Sequence, residues 1–297
     1  MVRYKLFRVL VQRAKNFCRY ELSSCLIFLR HEQGFIKETD MNLRLIQNQV
    51  VRAIVVFFVC CTNIMADPNT AVKISNSDSD LQVVRQKLKD KKPLTWVFTG
   101  DSITQGAGAT HGWRSYPEHF AERVRWELFR KSDIVINTGI SADVLGSILY
   151  SFDWRIARFQ PDVVSVMIGT NDAISGEKGR LIFQKNLIEM VDRIRKLGAV
   201  PLFNTPNPIC KDVYNGTRKD LQNYVQIIRE VAIDYNVILI DHWGYWQEKR
   251  NKEELLMSWL SDGLHPNEYG HRVMANEFFK RLDIYNPKSP TCQLLVP

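Results

Sequence analysis

The chain has 297 residues, 45% hydrophobic and 24% charged, an ordinary globular composition able to bury a full core in one large domain or two small ones. Its formal net charge is +8, but residues 1–66 hold ten basic and four acidic side chains, so +6 lies there and only +2 in everything after. The globular part is therefore close to neutral, which excludes a basic footprint for nucleic acid.

The six cysteines are Cys18, Cys25, Cys60, Cys61, Cys210 and Cys292. None forms a CxxC pair or a His/Cys cluster at zinc spacing, so no metal site is expected. Only Cys210 and Cys292 fall in the globular part. They could pair in an oxidising compartment, and the sequence leaves that open.

Residues 1–66 read as an N-terminal extension. The apolar run Ala53 to Cys61 is too short for a spanning helix, which needs ~20 apolar residues. It fits the hydrophobic region of a secretory signal, with Arg44 and Arg52 before it and Ala66 as a small residue at a cleavage point. Ile64 departs from the small-x-small rule at that point. Met41 leads straight into the run and makes a natural start. The expectation is an exported protein, secreted or periplasmic, with a cytoplasmic protein carrying an amphipathic N-terminal helix as the alternative. No stable membrane span is expected. Residues 67–92 read as a polar linker followed by a lead-in helix over Leu81 to Leu88.

The globular domain is expected over residues 93–285, with 286–297 as a C-terminal tail. It opens on an apolar run, Leu94 to Phe98, that breaks into Gly100-Asp101-Ser102. Such a run reads as a buried strand ending in a tight turn. Ser102 then stands at a strand's carboxyl end, the rim where open α/β sheets bind ligands. The glycines at 106, 108 and 112 make a surface loop. They do not form a dinucleotide fingerprint or a phosphate loop, which disfavours a nucleotide-binding protein of the same architecture.

A helix is predicted over Tyr116 to Phe129, from the apolar spacing of Phe120, Val124 and Leu128. The second strand, Ile134 to Ile136, runs into Asn137-Thr138-Gly139. Asp143 is placed to cap a helix through Leu145, Ile148, Leu149 and Phe152. Val163 to Ile168 is a third strand, apolar almost throughout as a central parallel strand should be. It ends in Gly169-Thr170-Asn171-Asp172. A helix over Phe183 to Leu197 and a strand over Ala199 to Phe203 follow. Next come a helix over Arg218 to Tyr235, a strand over Val237 to Ile240 and a helix over about Lys249 to Met257. The loop Ser261 to Pro266 precedes a last helix over about Asn267 to Leu282. Strand and helix alternate five times. That predicts an α/β fold, a three-layer α/β/α domain with a five-stranded parallel sheet, flavodoxin-like in outline.

Several strand ends therefore carry a polar group to one rim: Ser102, Gly139 and Asn171. The late loop adds Asp262 and His265. Serine is a weak nucleophile that needs a general base, and histidine serves best near neutral pH. The histidine needs a carboxylate to fix its tautomer, and Asp262 lies three residues away. The backbone N–H groups of Ser102 and Gly139 and the side-chain amide of Asn171 are suitable donors for a tetrahedral oxyanion.

These residues resemble the conserved blocks of the SGNH, or GDSL-type, hydrolases. Gly100-Asp101-Ser102 resembles the first block, with Ile103 where the name-giving motif has leucine. Asn137-x-Gly139 resembles the second, Gly169-Thr170-Asn171-Asp172 the third and Asp262-x-x-His265 the last. The resemblance spans about Leu94 to Leu282. It implies a carboxylic ester hydrolase without metal or organic cofactor. Ser102 would be the nucleophile, His265 the base and Asp262 its orienting carboxylate, with Ser102, Gly139 and Asn171 forming the oxyanion hole. The expected substrate is a short-chain acetyl ester of a carbohydrate or other small molecule, since no long apolar flap suits a lipid tail. A lysophospholipase, short-chain lipase or thioesterase is the alternative, and a non-catalytic carbohydrate-binding relative a further one. His111, His119, His242 and His271 are read as structural or exposed. Trp243, Trp246 and Trp259 are read as core rather than as a sugar-stacking wall. Asn215-Gly216-Thr217 is a glycosylation sequon.

Overall fold

The computed structural model describes residues 79–294, apart from residues 107, 250 and 251. The signal-like segment and residues 67–78 lie outside the described residues. Cys210 and Cys292 are both free thiols.

Five parallel strands form one sheet: β1 (Thr95–Gly100), β2 (Ile134–Asn137), β3 (Val163–Met167), β4 (Val200–Asn204) and β5 (Ile238–Ile240). Their order is β2-β1-β3-β4-β5, as the flavodoxin-like reading requires. Every residue of β3 and β4 is buried, which explains their largely apolar runs; their polar members, Ser165 and Asn204, satisfy each other, Asn204 Nδ2 donating to Ser165 Oγ at 2.8 Å. In register, Gly100 lies beside Met167, and Met167 beside Asn204. The strands thus end level. From β1 the chain turns to β2 on one side, and from β3 it proceeds to β4 on the other. The topological switch point is the gap between β1 and β3, where such sheets bind ligands.

The helices are α1 (Ser79–Lys89), α2 (Ser102–Gln105), α3 (Tyr116–Glu122), α4 (Leu145–Tyr150) and α5 (Phe152–Arg155), then α6 (Gly176–Lys196), α7 (Lys211–Asn215) and α8 (Leu221–Asp234). After β5 come α9 (His242–Lys249), α10 (Glu253–Met257) and α11 (Glu268–Arg281). Helix α3 packs against α11, and α6 packs against both α4 and α8. The α3/α11 side is filled with aromatic rings. Trp96 meets Phe120 edge-on at 4.8 Å between centroids, and Phe98 meets Phe278 at 5.5 Å. Across the sheet, Phe183 of α6 meets Tyr224 of α8 at 4.8 Å.

Three local expectations need correction. The helix expected through residue 129 is α only to Glu122. Arg123–Glu127 then widens into a π-turn, with Leu128 N–H donating to the Arg123 carbonyl at 3.0 Å. The wider turn carries Arg123 and Glu127 toward the end of the chain. Arg123 Nε donates to the Ile284 carbonyl at 2.8 Å, and Thr291 N–H donates to Glu127 Oε1 at 3.0 Å. Second, Asp143 does not cap α4. The N–H of Leu145 donates to Asp172 Oδ1 at 3.0 Å, while the Asp143 carboxylate pairs with Arg155. Third, the helix expected over about residues 249–257 is two helices. The longer, α9, starts at His242 because Asp241 Oδ1 accepts the Gly244 N–H at 3.1 Å, an N-terminal cap that sequence reading passed over. Residues 290–292 form a 3₁₀ turn, with Thr291 and Cys292 buried.

Candidate active site

The site begins at Gly100. A Cβ there would come within 2.3 Å of both the Met167 carbonyl and Thr104 Oγ1. Only glycine lets β1 turn so sharply between β3 and the following helix. Asp101 is the N-cap of α2, its Oδ1 accepting the Ile103 N–H at 3.0 Å. Ser102 is the first helical residue, so its own N–H has no acceptor within the helix. Burial pushes the Asp101 carboxyl up to about 7; Asp172 and Asp143 nearby add to this, while the bond from Ile103 opposes it. Burial likewise raises Asp172 to about 6, against the bond from Leu145.

Ser102 Oγ lies 2.9 Å from His265 Nε2, although 163 residues separate them. His265 Nδ1 lies 2.7 Å from Asp262 Oδ2. The Asp262–His265 loop is held by its own bonds and by the segment after β4, where Cys210 N–H donates to the Gly263 carbonyl at 2.8 Å and Asn207 Nδ2 to the Leu264 carbonyl at 3.0 Å. Asp262 Oδ1 accepts the N–H groups of His265 at 2.8 Å and Leu264 at 3.1 Å. An antiparallel bridge between Leu260 and Pro266 closes it. Burial acts to raise the Asp262 carboxyl, but the hydrogen bonds from His265 and Leu264 outweigh it and hold it below the ordinary carboxylate range. An ionised Asp262 fixes the imidazole with Nδ1 protonated and Nε2 free to accept from Ser102.

Gly139 and Asn171 reach the same rim from the ends of β2 and β3. At Gly139 a Cβ would stand 2.5 Å from Gln105 N and 3.0 Å from the Asp101 carbonyl, so its loop touches the Ser102 turn backbone to backbone. Its N–H is not left open: it donates to Asn137 Oδ1 at 2.9 Å. Asn137 Nδ2 in turn donates to the Thr104 carbonyl at 2.7 Å, tying the second block to the first. An oxyanion would share the Gly139 N–H with Asn137. Asn171 Nδ2 donates to the Asp143 carbonyl at 3.0 Å, and its Oδ1 accepts from Arg218 Nη2 at 3.0 Å. Sequence reading missed Arg218. Behind these loops the buried Arg155 donates through Nη2 to the carbonyls of Gly100 at 3.0 Å and Thr138 at 2.6 Å. It too was missed, and ties together the ends of β1 and β2.

His119, His242 and His271 are accounted for by packing, while His111 is exposed with its Nδ1 3.2 Å from Glu268 Oε2. Burial, aided by nearby Arg272 and Arg114, pushes His119 down to about 3. Burial does the same to His271, which accepts the Tyr116 N–H at 3.3 Å. His242 is buried against Glu277 at 2.7 Å. Trp243, Trp246 and Trp259 are all buried, so they are core and not a stacking wall. No group of three or more His, Cys, Asp or Glu side chains able to hold a metal ion occurs among the described residues.

A sequence profile of the GDSL-like lipase/acylhydrolase family matches residues 98–273, more than half of the chain. The chain belongs to this family. An acetylxylan esterase of Geobacillus stearothermophilus is 24% identical over 207 residues, covering 63% of this chain and 92% of that protein. The lipoprotein YqeF of Bacillus subtilis is 26% identical over 212 residues, covering 60% and 85%. A Mycoplasma pneumoniae protein is 32% identical over 109 residues, only 12% of its own length. The crystal structure of Axe2, an acetylxylan esterase of G. stearothermophilus, superposes with a TM-score of 0.54 at 20% identity, covering 64% of this chain and 94% of Axe2. This GDSL-type protein is a carboxylic ester hydrolase with the family's α/β fold. Among the described residues, no helix is long and apolar enough to cross a membrane.

Proposed function

We propose that this GDSL-type hydrolase cleaves short-chain esters, acetyl esters of carbohydrates first, through a covalent acyl group on Ser102. The reading is carried by the aligned contacts Ser102 Oγ to His265 Nε2, 2.9 Å, and His265 Nδ1 to Asp262 Oδ2, 2.7 Å. His265 takes the Ser102 proton as Oγ attacks the ester carbonyl, and the charge that forms on His265 is steadied by Asp262. The carbonyl oxygen becomes an oxyanion facing the Ser102 N–H and the Asn171 amide. When the tetrahedral species collapses, the C–O bond to the alcohol breaks and His265 returns its proton to the leaving alkoxide. Water, deprotonated by His265, then attacks the acyl carbon and releases the acid and free Ser102.

The carbohydrate preference draws on the named activity of the Geobacillus relatives and on one local feature. An open cavity of about 310 Å³ is lined by Trp113, Arg114, His119, Glu268 and Arg272. It lies between the loop after α2 and the start of α11, three residues beyond His265. Trp113 is 43% exposed there, an aromatic face suited to a sugar ring. A second reading, longer acyl chains, draws on Ile140 and Ile174, which are 42% and 52% exposed and follow closely on Gly139 and Asn171. The signal-like segment and the lipoprotein relative support export to the cell surface or beyond.

A fluorophosphonate probe should label Ser102 and no other residue, and Ser102→Ala should abolish both labelling and esterase activity. A series of aryl esters from acetate to octanoate separates the two acyl readings. Acetate should be cleaved fastest; faster cleavage of octanoate would move the assignment to the lipase reading.

A further inference from the structure

Arg218 lies between α7 and α8 and is partly buried. Its Nη1 donates to Thr217 Oγ1 at 3.1 Å and its Nη2 to Asn171 Oδ1 at 3.0 Å. Its Nε is buried with no partner among the described residues. No carboxylate among the described residues forms an ion pair with it, whereas Arg123, Arg130, Arg155, Arg180 and Arg229 all have one. A guanidinium drawn out of water without a counter-charge is costly. Its hydrogen-bond partners here are both neutral, the Thr217 hydroxyl and the amide oxygen of Asn171, while its charge also acts on the buried Asp101 carboxyl.

We propose that Arg218 is a positioning residue for ester hydrolysis, holding the Asn171 amide so that an N–H faces the carbonyl oxygen as it becomes negative. The proposal rests on the roles given above to Ser102 and Asn171. A guanidinium carries donors only, so it accepts nothing from an amide N–H₂ and dictates that Oδ1 points toward it. The opposite end of the amide is then fixed as well. One of its two N–H groups donates to the Asp143 carbonyl at 3.0 Å. The other is left, in an orientation set from both sides. Arg218 also polarises the amide, since hydrogen bonds in series strengthen one another and a charged donor strengthens them most. Asn171 matters more here because the Gly139 N–H is shared with Asn137 Oδ1.

The test is a double-mutant cycle on the full chain with an aryl acetate: wild type, Asn171→Ala, Arg218→Gln, Arg218→Lys and the double variant Asn171→Ala/Arg218→Gln. Arg218→Gln should lower kcat by about tenfold, part of the ~10²–10³ that a whole oxyanion donor supplies. KM should change less than about twofold, because the interaction strengthens only in the transition state. Arg218→Lys should recover part of the loss, since an ammonium also donates to Oδ1. In the Asn171→Ala background, Arg218→Gln should cost less than about twofold, the non-additivity expected of residues acting through one contact. Multiplicative losses, a loss confined to KM, or wild-type kcat in Arg218→Gln would each overturn the proposal while leaving Asn171 in place. Near-normal kcat in Asn171→Ala would instead remove the oxyanion reading, and this inference with it. Thermal melting of each variant shows whether a loss reflects unfolding.

Discussion

Gly139→Ala tests how closely two loops must approach for the site to work. The added Cβ would sit 2.5 Å from Gln105 N and 3.0 Å from both the Asp101 carbonyl and Gln105 Cα. Ordinary contact begins at 3.4 Å, so relief requires the loop and the nucleophile turn to part by about 0.9 Å. All three obstructing atoms are backbone, so no side chain can swing aside. They flank Ser102 in sequence, and any shift that clears the methyl group shifts Ser102. Gly139 is not among the positive-φ glycines, so alanine carries no left-handed backbone penalty there and the effect is one of space. Displacing a reacting group by ~1 Å costs on the order of 10²-fold in rate. Overpacking should also cost about 1–3 kcal/mol of stability. Steady-state hydrolysis of an aryl acetate should therefore show kcat down by about 10²-fold in a protein that remains folded by circular dichroism. A variant within about threefold of wild type would refute the argument that the Gly139 loop fixes Ser102 by direct contact.

Asn171→Ala should lower kcat by ~10²–10³ with KM little changed, and Ser102 should still be labelled by the fluorophosphonate, more slowly. Asp262→Asn should lower kcat by roughly 10²–10⁴, because an amide no longer holds His265 in the productive tautomer; an equal rate at pH 7 would remove Asp262 from the relay. Asp101 predicts a pH dependence of stability. Its folded carboxyl keeps its proton up to about 7, while the unfolded chain releases it near 3.8, so stability falls as pH rises through that window and levels off above it. The upper bound is roughly 4 kcal/mol for the fully buried group. In chemical denaturation at about pH 5 and pH 8, Asp101→Asn should gain on wild type at the higher pH; a constant gap would contradict the buried-acid account.

The strands and their end turns were legible because each is a local signal. Val163 to Met167 is apolar but for Ser165 and Gly100-Asp101-Ser102 is a break, and both follow from residues adjacent in sequence. The Asp262–His265 pair was legible for the same reason, since one short loop holds both. What escaped were the bonds between loops. Asp172 rather than Asp143 serves α4, across 27 residues. Arg218 meets Asn171 across 47 residues, and a lone arginine after a glycosylation sequon gives no hint of it. Arg155 sits on a short helix, where nothing in its neighbours marks it as the tie between two strand ends. The start of α9 was a different failure: Asp241 was a readable cap, masked by the aromatic run that follows it.

The order of the site along the chain bears on how the enzyme is made. Ser102, Gly139 and Asn171 are all synthesised before the loop that carries His265, and domains fold as their chain emerges. Under the proposed roles, Ser102, Gly139 and Asn171 can thus be in place on the ribosome while His265 is still being added. The Asp262–His265 loop is shaped by the Asp262 carboxylate and must also dock on Asn207 and Cys210, which are already made when it emerges. That docking is anchored by α11, where Phe278 lies 5.6 Å from the Tyr116 ring and His271 receives the Tyr116 N–H. A nascent or partly refolded chain would hold a serine without a base and leave esters intact. Recovery of hydrolysis during refolding therefore reports the docking of α11 rather than the formation of the sheet.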